Sequence, residues 1–213
     1  HVLVTGGAGF IGSNIAIQLV KDGYQVTVLD DLSTGYLKNL DTIKDKINFV
    51  KGSITDYDLL NKIMPGVDFV LHQAALPSVP RSIDKPLDSH ANNATGIINI
   101  LDAARLNKVK RVVFASSSAV YGDAKEKYKS EDLTTNPLSP YAVTKLVGEE
   151  YCRVFSELYD IETVCLRYFN VFGPQQDPAS DYAAVIPLFI KAILADQQPT
   201  IFGDGTQSRD FTY

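Results

Sequence analysis

Two stretches of this chain carry side chains able to move a proton near neutral pH. Tyr141-Ala-Val-Thr-Lys145 sets a phenol and an ammonium four residues apart. On a helix, residues i and i+4 share a face, so Lys145 is expected beside Tyr141. A neighbouring positive charge lowers a phenol from its usual pKa of about 10 toward neutrality, making a usable general base. The same spacing recurs in Tyr121-Gly-Asp-Ala-Lys125. With 11 Tyr in 213 residues, roughly 0.7 such matches are expected by chance. Context separates the two. Ser139-Pro140 ahead of Tyr141 is a helix start, with Ser as cap and Pro in the first turn. Gly122 and Asp123 make the other match a loop, where four-residue spacing guarantees no proximity. Tyr141 and Lys145 are therefore the expected catalytic pair. Ser116-Ser117-Ser118 follows the apolar run Val112–Ala115. A hydroxyl at a strand's C-terminal end can hold a substrate hydroxyl or ketone oxygen beside Tyr141. The plainer reading is that serines simply satisfy a strand end.

A second constellation suits a dinucleotide. Thr5-Gly6-Gly7-Ala8-Gly9-Phe10-Ile11-Gly12 lies between an apolar strand and a helix-period stretch. Gly6 permits a tight turn, Gly9 a close approach of backbone to pyrophosphate, and Gly12 close packing of the helix. The helix N-terminus offers unpaired N–H groups and a partial positive charge to phosphates. Asp30 ends the next strand, where a carboxylate accepts hydrogen bonds from a ribose and repels a 2′-phosphate. No Arg occurs between Gly6 and Val50 to reverse that preference, so NAD rather than NADP is expected.

These groups need a scaffold that brings strand ends together. Strand-length apolar runs at Val2–Val4, Gln25–Leu29, Ile47–Val50, Val67–His72, Val109–Ala115 and Glu162–Leu166 alternate with helical stretches at Asp56–Met64, Asp88–Asn107 and Tyr141–Tyr159. That alternation predicts an α/β fold, a Rossmann-type doubly wound parallel sheet covered on both faces. From Asn170 onward the pattern loosens around Gly173-Pro174, Asp177-Pro178 and Gly203-Asp204-Gly205. Residues 1–169 are expected to form the nucleotide-binding domain, and 170–213 the beginning of a smaller substrate lobe. His1 opens directly in a strand-like run and Tyr213 ends without a terminating signal, so the chain reads as truncated.

Composition narrows the partners. Net charge is −5, from 20 Lys+Arg against 25 Asp+Glu, which argues against nucleic acid. No apolar run approaches the ~20 residues of a membrane span, and no signal peptide opens the chain. Two cysteines make no disulfide framework and no metal-spaced pair, which fits a reducing, cytoplasmic setting. Cys165 reads as a small hydrophobe, and His72 lacks neighbours at ligand spacing, so no metal is expected. Arg81, after a Pro-containing turn, is either a substrate contact or a solvated charge.

The whole pattern resembles the extended short-chain dehydrogenases/reductases, specifically the nucleotide-sugar epimerase/dehydratase family. Matching segments are Thr5–Gly12, Leu71-His72-Gln73-Ala74-Ala75, Asn92-Asn93-Ala94-Thr95-Gly96, Ser116–Gly122, Ser139–Lys145, Leu166–Gly173 and Gly203–Phe211. The likeness is greatest to UDP-glucose and UDP-N-acetylglucosamine 4-epimerases. Ser78-Val79-Pro80-Arg81-Ser82-Ile83 and Tyr182-Ala183-Ala184-Val185-Ile186-Pro187 look like the N-acetylhexosamine group. The resemblance implies that Tyr141 takes the 4-hydroxyl proton while C4 hydride passes to tightly held NAD, giving a transient 4-keto sugar. It implies Ser117 as the catalytic Ser/Thr, with Ser116 and Ser118 as understudies. It implies cofactor contacts from Gly6, Gly9, Phe10, Ile11, Gly12, Asp30, Ser53, Ile54, Gln73, Ala74, Ala75, Asn92, Ser116, Tyr141, Lys145 and Tyr168. Contacts to a UDP-sugar are implied for Ser78, Ser117, Ser118, Tyr141, Asn170, Ala184, Val185 and Arg209. A homodimer is implied as well. Position 53 is Ser where many relatives carry Asp, a departure at the adenine side. Sugar 4,6-dehydratases carry Asp-Glu after the catalytic Ser/Thr, whereas Ser118 and Ala119 stand here, neither able to serve as acid and base. UDP-glucuronate decarboxylase remains a rival reading, and a non-catalytic NAD-binding sensor a rival of another class.

Overall fold

A computed structural model describes residues 1–177, 185–201 and 203–213. Six strands, β1 (Val2–Thr5), β2 (Val26–Asp30), β3 (Ile47–Lys51), β4 (Phe69–His72), β5 (Arg111–Ser117) and β6 (Glu162–Tyr168), form one parallel sheet ordered β3-β2-β1-β4-β5-β6. The order reverses direction between β1 and β4, which pair Val2 to Phe69 through Thr5 to His72. Connections leaving β1 and β4 at this point diverge to opposite sides, opening a crevice at the carboxyl ends.

The parallel strands need helical crossovers, and these are α1 (Phe10–Lys21), α2 (Tyr57–Ile63), α5 (Gly96–Leu106) and α6 (Pro140–Leu158). Two apolar layers result. One joins Leu3, Val70, Val112 and Phe114 to Leu60, Ile97, Ile100, Leu101 and Phe155. Cys152 belongs to this layer and Cys165 packs against it, both as free thiols. The other joins Val2, Val4, Val26 and Val28 to Ala16, Leu40 and Ile43. Val164 and Leu166 on the edge strand β6 are less well covered, at 39% and 40% exposed.

Helix starts follow local chemistry. Asp56 caps α2 by accepting from Leu59 N at 2.9 Å, and Ser139 caps α6 by accepting from Ala142 N at 3.1 Å. The single helix expected over 88–107 is instead segmented. Short helices α3 (Val79–Asp84) and α4 (Pro86–Ser89) lead into a π-helical stretch, His90–Thr95, before α5. The Asn92-Asn93 doublet falls in that stretch, and π-bulges favour functional sites. Beyond residue 169 a small parallel pair forms between β7 (Asn170–Val171) and β8 (Phe211–Thr212), with α7 (Val185–Leu194) between them in sequence. No helix among the described residues is long and apolar enough to cross a membrane.

His72, at the end of β4, is 1% exposed, bonds Thr5 Oγ1 through Nδ1 at 2.6 Å and stacks on Phe114. Burial, and then the nearby charge of Lys145, push its pKa down to about 3. The folded protein holds His72 neutral while the unfolded chain protonates it near 6.5, so the stability is present above pH 6.5 and lost as pH falls toward 3. In acid titrations of unfolding free energy, His72→Asn should flatten this loss. The wild-type decline attributable to His72 should be about 1.4 kcal/mol per pH unit between about pH 6 and 4. Parallel acid limbs for the two proteins would refute the assignment.

Candidate active site

The glycine segment turns sharply off β1. Gly6 has φ +68°, and a Cβ there would lie 2.6 Å from Ala74 N. A Cβ on Gly12 would lie 2.2 Å from Gly6 O, so α1 packs directly on the turn. Thr5 ties the parted strands: besides His72, its Oγ1 accepts from Ala74 N at 3.3 Å. The first turn of α1, capped by Gly9 without a side-chain bond, presents its free N–H groups to the crevice.

A cleft of about 1430 Å³ runs along the carboxyl edge of the sheet. That exceeds the ~300–1,000 Å³ of a site for one small ligand and suits two nucleotides end to end. It is lined by Gly6, Gly9, Phe10, Ile11 and Gly12 from the turn, and by Asp30, Ser53, Ile54, Gln73, Ala74, Ala75 and Asn92 from the neighbouring strand ends and π-helix. Asp30 is 8% exposed, accepting from Ala8 N at 2.9 Å and Leu32 N at 2.8 Å. Burial raises its pKa, opposed by those two backbone bonds. Each carboxylate oxygen keeps a lone pair for a ribose hydroxyl. Gln73 Oε1 is buried without a hydrogen-bond partner, while the side chain hydrogen-bonds Tyr168. An orphaned buried acceptor in a cleft wall points to a ligand donor. The glycine cradle, the ribose-facing acid and this orphan together fit a dinucleotide.

At the far end Tyr141, Lys145, Ser117, Tyr168, Ser78, Asn170, Val185 and Arg209 line the same cleft. Ser117 Oγ accepts from Ala119 N at 3.1 Å and lies beside the Tyr141 phenol, whose pKa it lowers. Lys145 is 3% exposed, with Nζ donating to Ala115 O at 2.7 Å and lying 5.8 Å from the Tyr141 ring centroid. Burial lowers it to about 8. Tyr141 corrects an expectation: its pKa is raised, not lowered, because burial outweighs the Ser117 bond. The ammonium expected to depress it is directed at the Ala115 carbonyl instead. The competing Tyr121 closes a 3₁₀ turn, Ser118–Tyr121, is 4% exposed and lies 4.8 Å under the Arg167 guanidinium. Lys125 is exposed in the loop beyond.

The other two serines are placed differently from Ser117. Ser116 borders the cleft, yet its hydroxyl turns away to donate to Glu149, because alternate strand residues face opposite sides. Ser118 does not line the cleft, since the chain has already entered the 3₁₀ turn. Ala184, with Tyr182, lies outside the described residues. Ser78 sits at φ +102° and caps α3 through Arg81 N at 3.2 Å, and Arg81 lines the cleft. Asn170 donates to Asp210 O at 2.9 Å, and Arg209 to Ser208 O at 2.8 Å. Sequence reasoning missed Asn93, 3% exposed, which bonds Leu76 N at 2.8 Å, Leu76 O at 3.2 Å and Thr144 at 3.3 Å. An Asn doublet inside an apolar helical stretch was the available signal, since Asn is a poor helix former without such partners. Glu149 and Arg167 were missed too. Among the described residues no cluster of three or more His, Cys, Asp or Glu is placed to hold a metal.

Comparison with known proteins gives consistent matches. The model of the NAD dependent epimerase/dehydratase family matches residues 2–213. A putative UDP-glucose 4-epimerase of Methanocaldococcus jannaschii is 47% identical, over all of this chain and 69% of its own length. Among solved structures, a UDP-N-acetylglucosamine 4-epimerase from Methanobrevibacter ruminantium, in complex with UDP-N-acetylmuramic acid, superposes with a TM-score of 0.96 at 47% identity. The match covers 100% of this chain and 68% of that one. The UDP-glucose 4-epimerase of Thermus thermophilus, in complex with NAD, gives a TM-score of 0.89 at 36% identity, covering 100% of this chain and 70% of that one.

Asp30 both braces the glycine turn and lines the cleft, so its loss has two readouts. Asp30→Ala should weaken NAD binding and narrow the preference over NADP, measured by titration calorimetry. It should also cost ~1–3 kcal/mol of stability, because Ala8 N and Leu32 N lose their acceptors. Equal affinity of the parent protein for NAD and NADP would sink the cofactor assignment.

Proposed function

Because the chain belongs to the NAD-dependent epimerase/dehydratase family, we propose that it acts as a UDP-sugar 4-epimerase through a transient 4-keto sugar. The substrates in this reading are UDP-glucose and UDP-galactose, with their N-acetyl forms. One observation speaks against the dehydratase alternative. The carboxylates lining the cleft among the described residues are Asp30, Asp31 and Asp177, which belong to the turn and loops around the glycine segment. No acid among them stands beside Tyr141 and Ser117 to eliminate water, so the chemistry that remains there is removal and return of one proton.

Tyr141 takes the proton of the sugar 4-hydroxyl and later returns it to the same oxygen. Ser117, bonded to the phenol, holds that oxygen in line and lowers the phenol's pKa against the upward push of burial. Lys145, fixed to Ala115 O, keeps a cation within reach of the developing phenolate. NAD, when bound, supplies a reversible hydride acceptor for C4. The residues that would hold it are the Gly6–Gly12 turn, Asp30, Gln73, Asn92 and Lys145. Nothing is consumed, so the net change is inversion at C4. Asn170 and Arg209 are placed for the UDP diphosphate, Arg offering a planar fork of donors. Residues 170–213 then supply the substrate side, and residues 1–169 the NAD side. A cytoplasmic homodimer belongs to the same reading, supported by exposed Val143, Tyr151 and Leu158 on α6, apolar surface a second copy would cover.

Given a UDP-hexose or UDP-N-acetylhexosamine, the full-length protein should form the C4 epimer without net NADH. Accumulating NADH, or carbon dioxide from a UDP-uronate, would replace this reading with a dehydrogenase or a decarboxylase. Tyr141→Phe should lower kcat by ~10²–10⁴-fold with NAD still bound. Tyr121→Phe should keep most activity, since that ring is a platform for Arg167; the opposite ranking would show that Tyr121 is the base.

A further inference from the structure

Behind the proton-transfer pair lies a second set of charged groups, facing away from the cleft. Glu149 stands on α6 four residues beyond Lys145, on the same helix face. Its Oε1 accepts from the Ser116 hydroxyl and from Arg167 Nε at 2.9 Å, and its Oε2 accepts from Arg167 Nη2 at 2.8 Å. Ser116 and Arg167 are directly paired across β5 and β6, and the next pair is Ser117 with Tyr168. One carboxylate thus clamps the last pair of the two strands that faces α6. The following pair, pointing the other way, carries the hydroxyls of the cleft: Ser117 against Tyr141, and Tyr168 against Gln73. Together with Lys145 on Ala115 O, Glu149 makes α6 grip two consecutive residues of β5.

The Glu149–Arg167 pair is only 11% and 19% exposed at its side chains. Desolvation largely cancels the Coulomb gain of such a pair, so stability alone is a weak reason for its presence. Its geometry supplies another. We propose that Glu149 is a positioning residue for proton transfer: its side-chain oxygen draws Ser116 toward α6 and thereby fixes the Ser117 hydroxyl beside the Tyr141 phenol. This rests on the reading of Tyr141 as base and Ser117 as its partner. Loosening Ser117 should raise the pKa of Tyr141, since that bond favours the phenolate.

Ser116→Ala in the full-length, NAD-loaded protein deletes one hydroxyl and leaves the ion pair intact. Tyr141 is followed by NMR of ¹³C-labelled tyrosine, its resonance identified by its absence in Tyr141→Phe. The ionisation should move to higher pH, and the pH profile of kcat with it. The kcat should fall ~10- to 100-fold, with KM and NAD affinity within about twofold. The double variant Glu149→Gln with Arg167→Met removes both charges and keeps an acceptor for Ser116. It should retain the wild-type Tyr141 titration even where its Tm falls. An unmoved titration in Ser116→Ala, with or without a lower Tm, would overturn the proposal. So would a shift in the double variant as large as in Ser116→Ala. The titration needs no substrate, so a wild type inactive on UDP-sugars would count against the 4-epimerase reading alone.

Discussion

The point where β1 and β4 part governs this molecule. Two adjacent parallel strands there send their connections to opposite sides, leaving strand ends without covering chain. Thr5 bridges the gap through His72 and Ala74, and Gly6 turns within van der Waals range of Ala74. Any side chain at Gly6 would push the strands apart. The glycine turn, the helix N-terminus of α1 and the orphaned Gln73 acceptor all face the opening that this crossing creates.

The end of the cleft lined by Tyr141 and Lys145 depends on a costlier arrangement. Among the described residues Lys145 is buried with one carbonyl partner and no carboxylate, and its pKa falls to about 8. That shift corresponds to roughly 3 kcal/mol of disfavoured charge. Phe114 lies between Lys145 and His72, with Lys145 Nζ 4.9 Å from its ring centroid and His72 stacked at 5.6 Å. His72 meets the same apolar surroundings by staying neutral. Burial also raises Tyr141, and Ser117 beside it pulls the pKa back only in part.

Local sequence carried a large part of this. Glycines at 6, 9 and 12 between a strand and a helix, an acid closing β2, and Ser139-Pro140 before Tyr141 act within a few residues of themselves. Turn geometry, capping and helical spacing are short-range, so those residues could be read without a fold. The same holds for the different settings of Tyr141 and Tyr121, which needed only the contrast between a capped helix and a Gly-Asp loop. Strand–helix alternation likewise fixed the class of sheet.

What local pattern could not supply was direction and burial. Three consecutive serines look alike in sequence; which hydroxyl faces the cleft depends on the phase of β5 against α6. The structure turns Ser117 inward and Ser116 toward Glu149. Asn93 and Arg167 acquire their partners from Leu76, Thr144 and Glu149, residues 17, 51 and 18 positions away. The rise of the Tyr141 pKa reflects desolvation, which exists only once the cleft has closed around the phenol. Sequence alone determined which side chains could do the chemistry, because spacing and turns are local. Tertiary structure decided which of them meet, and in which protonation state, because packing across the sheet sets both distance and dielectric.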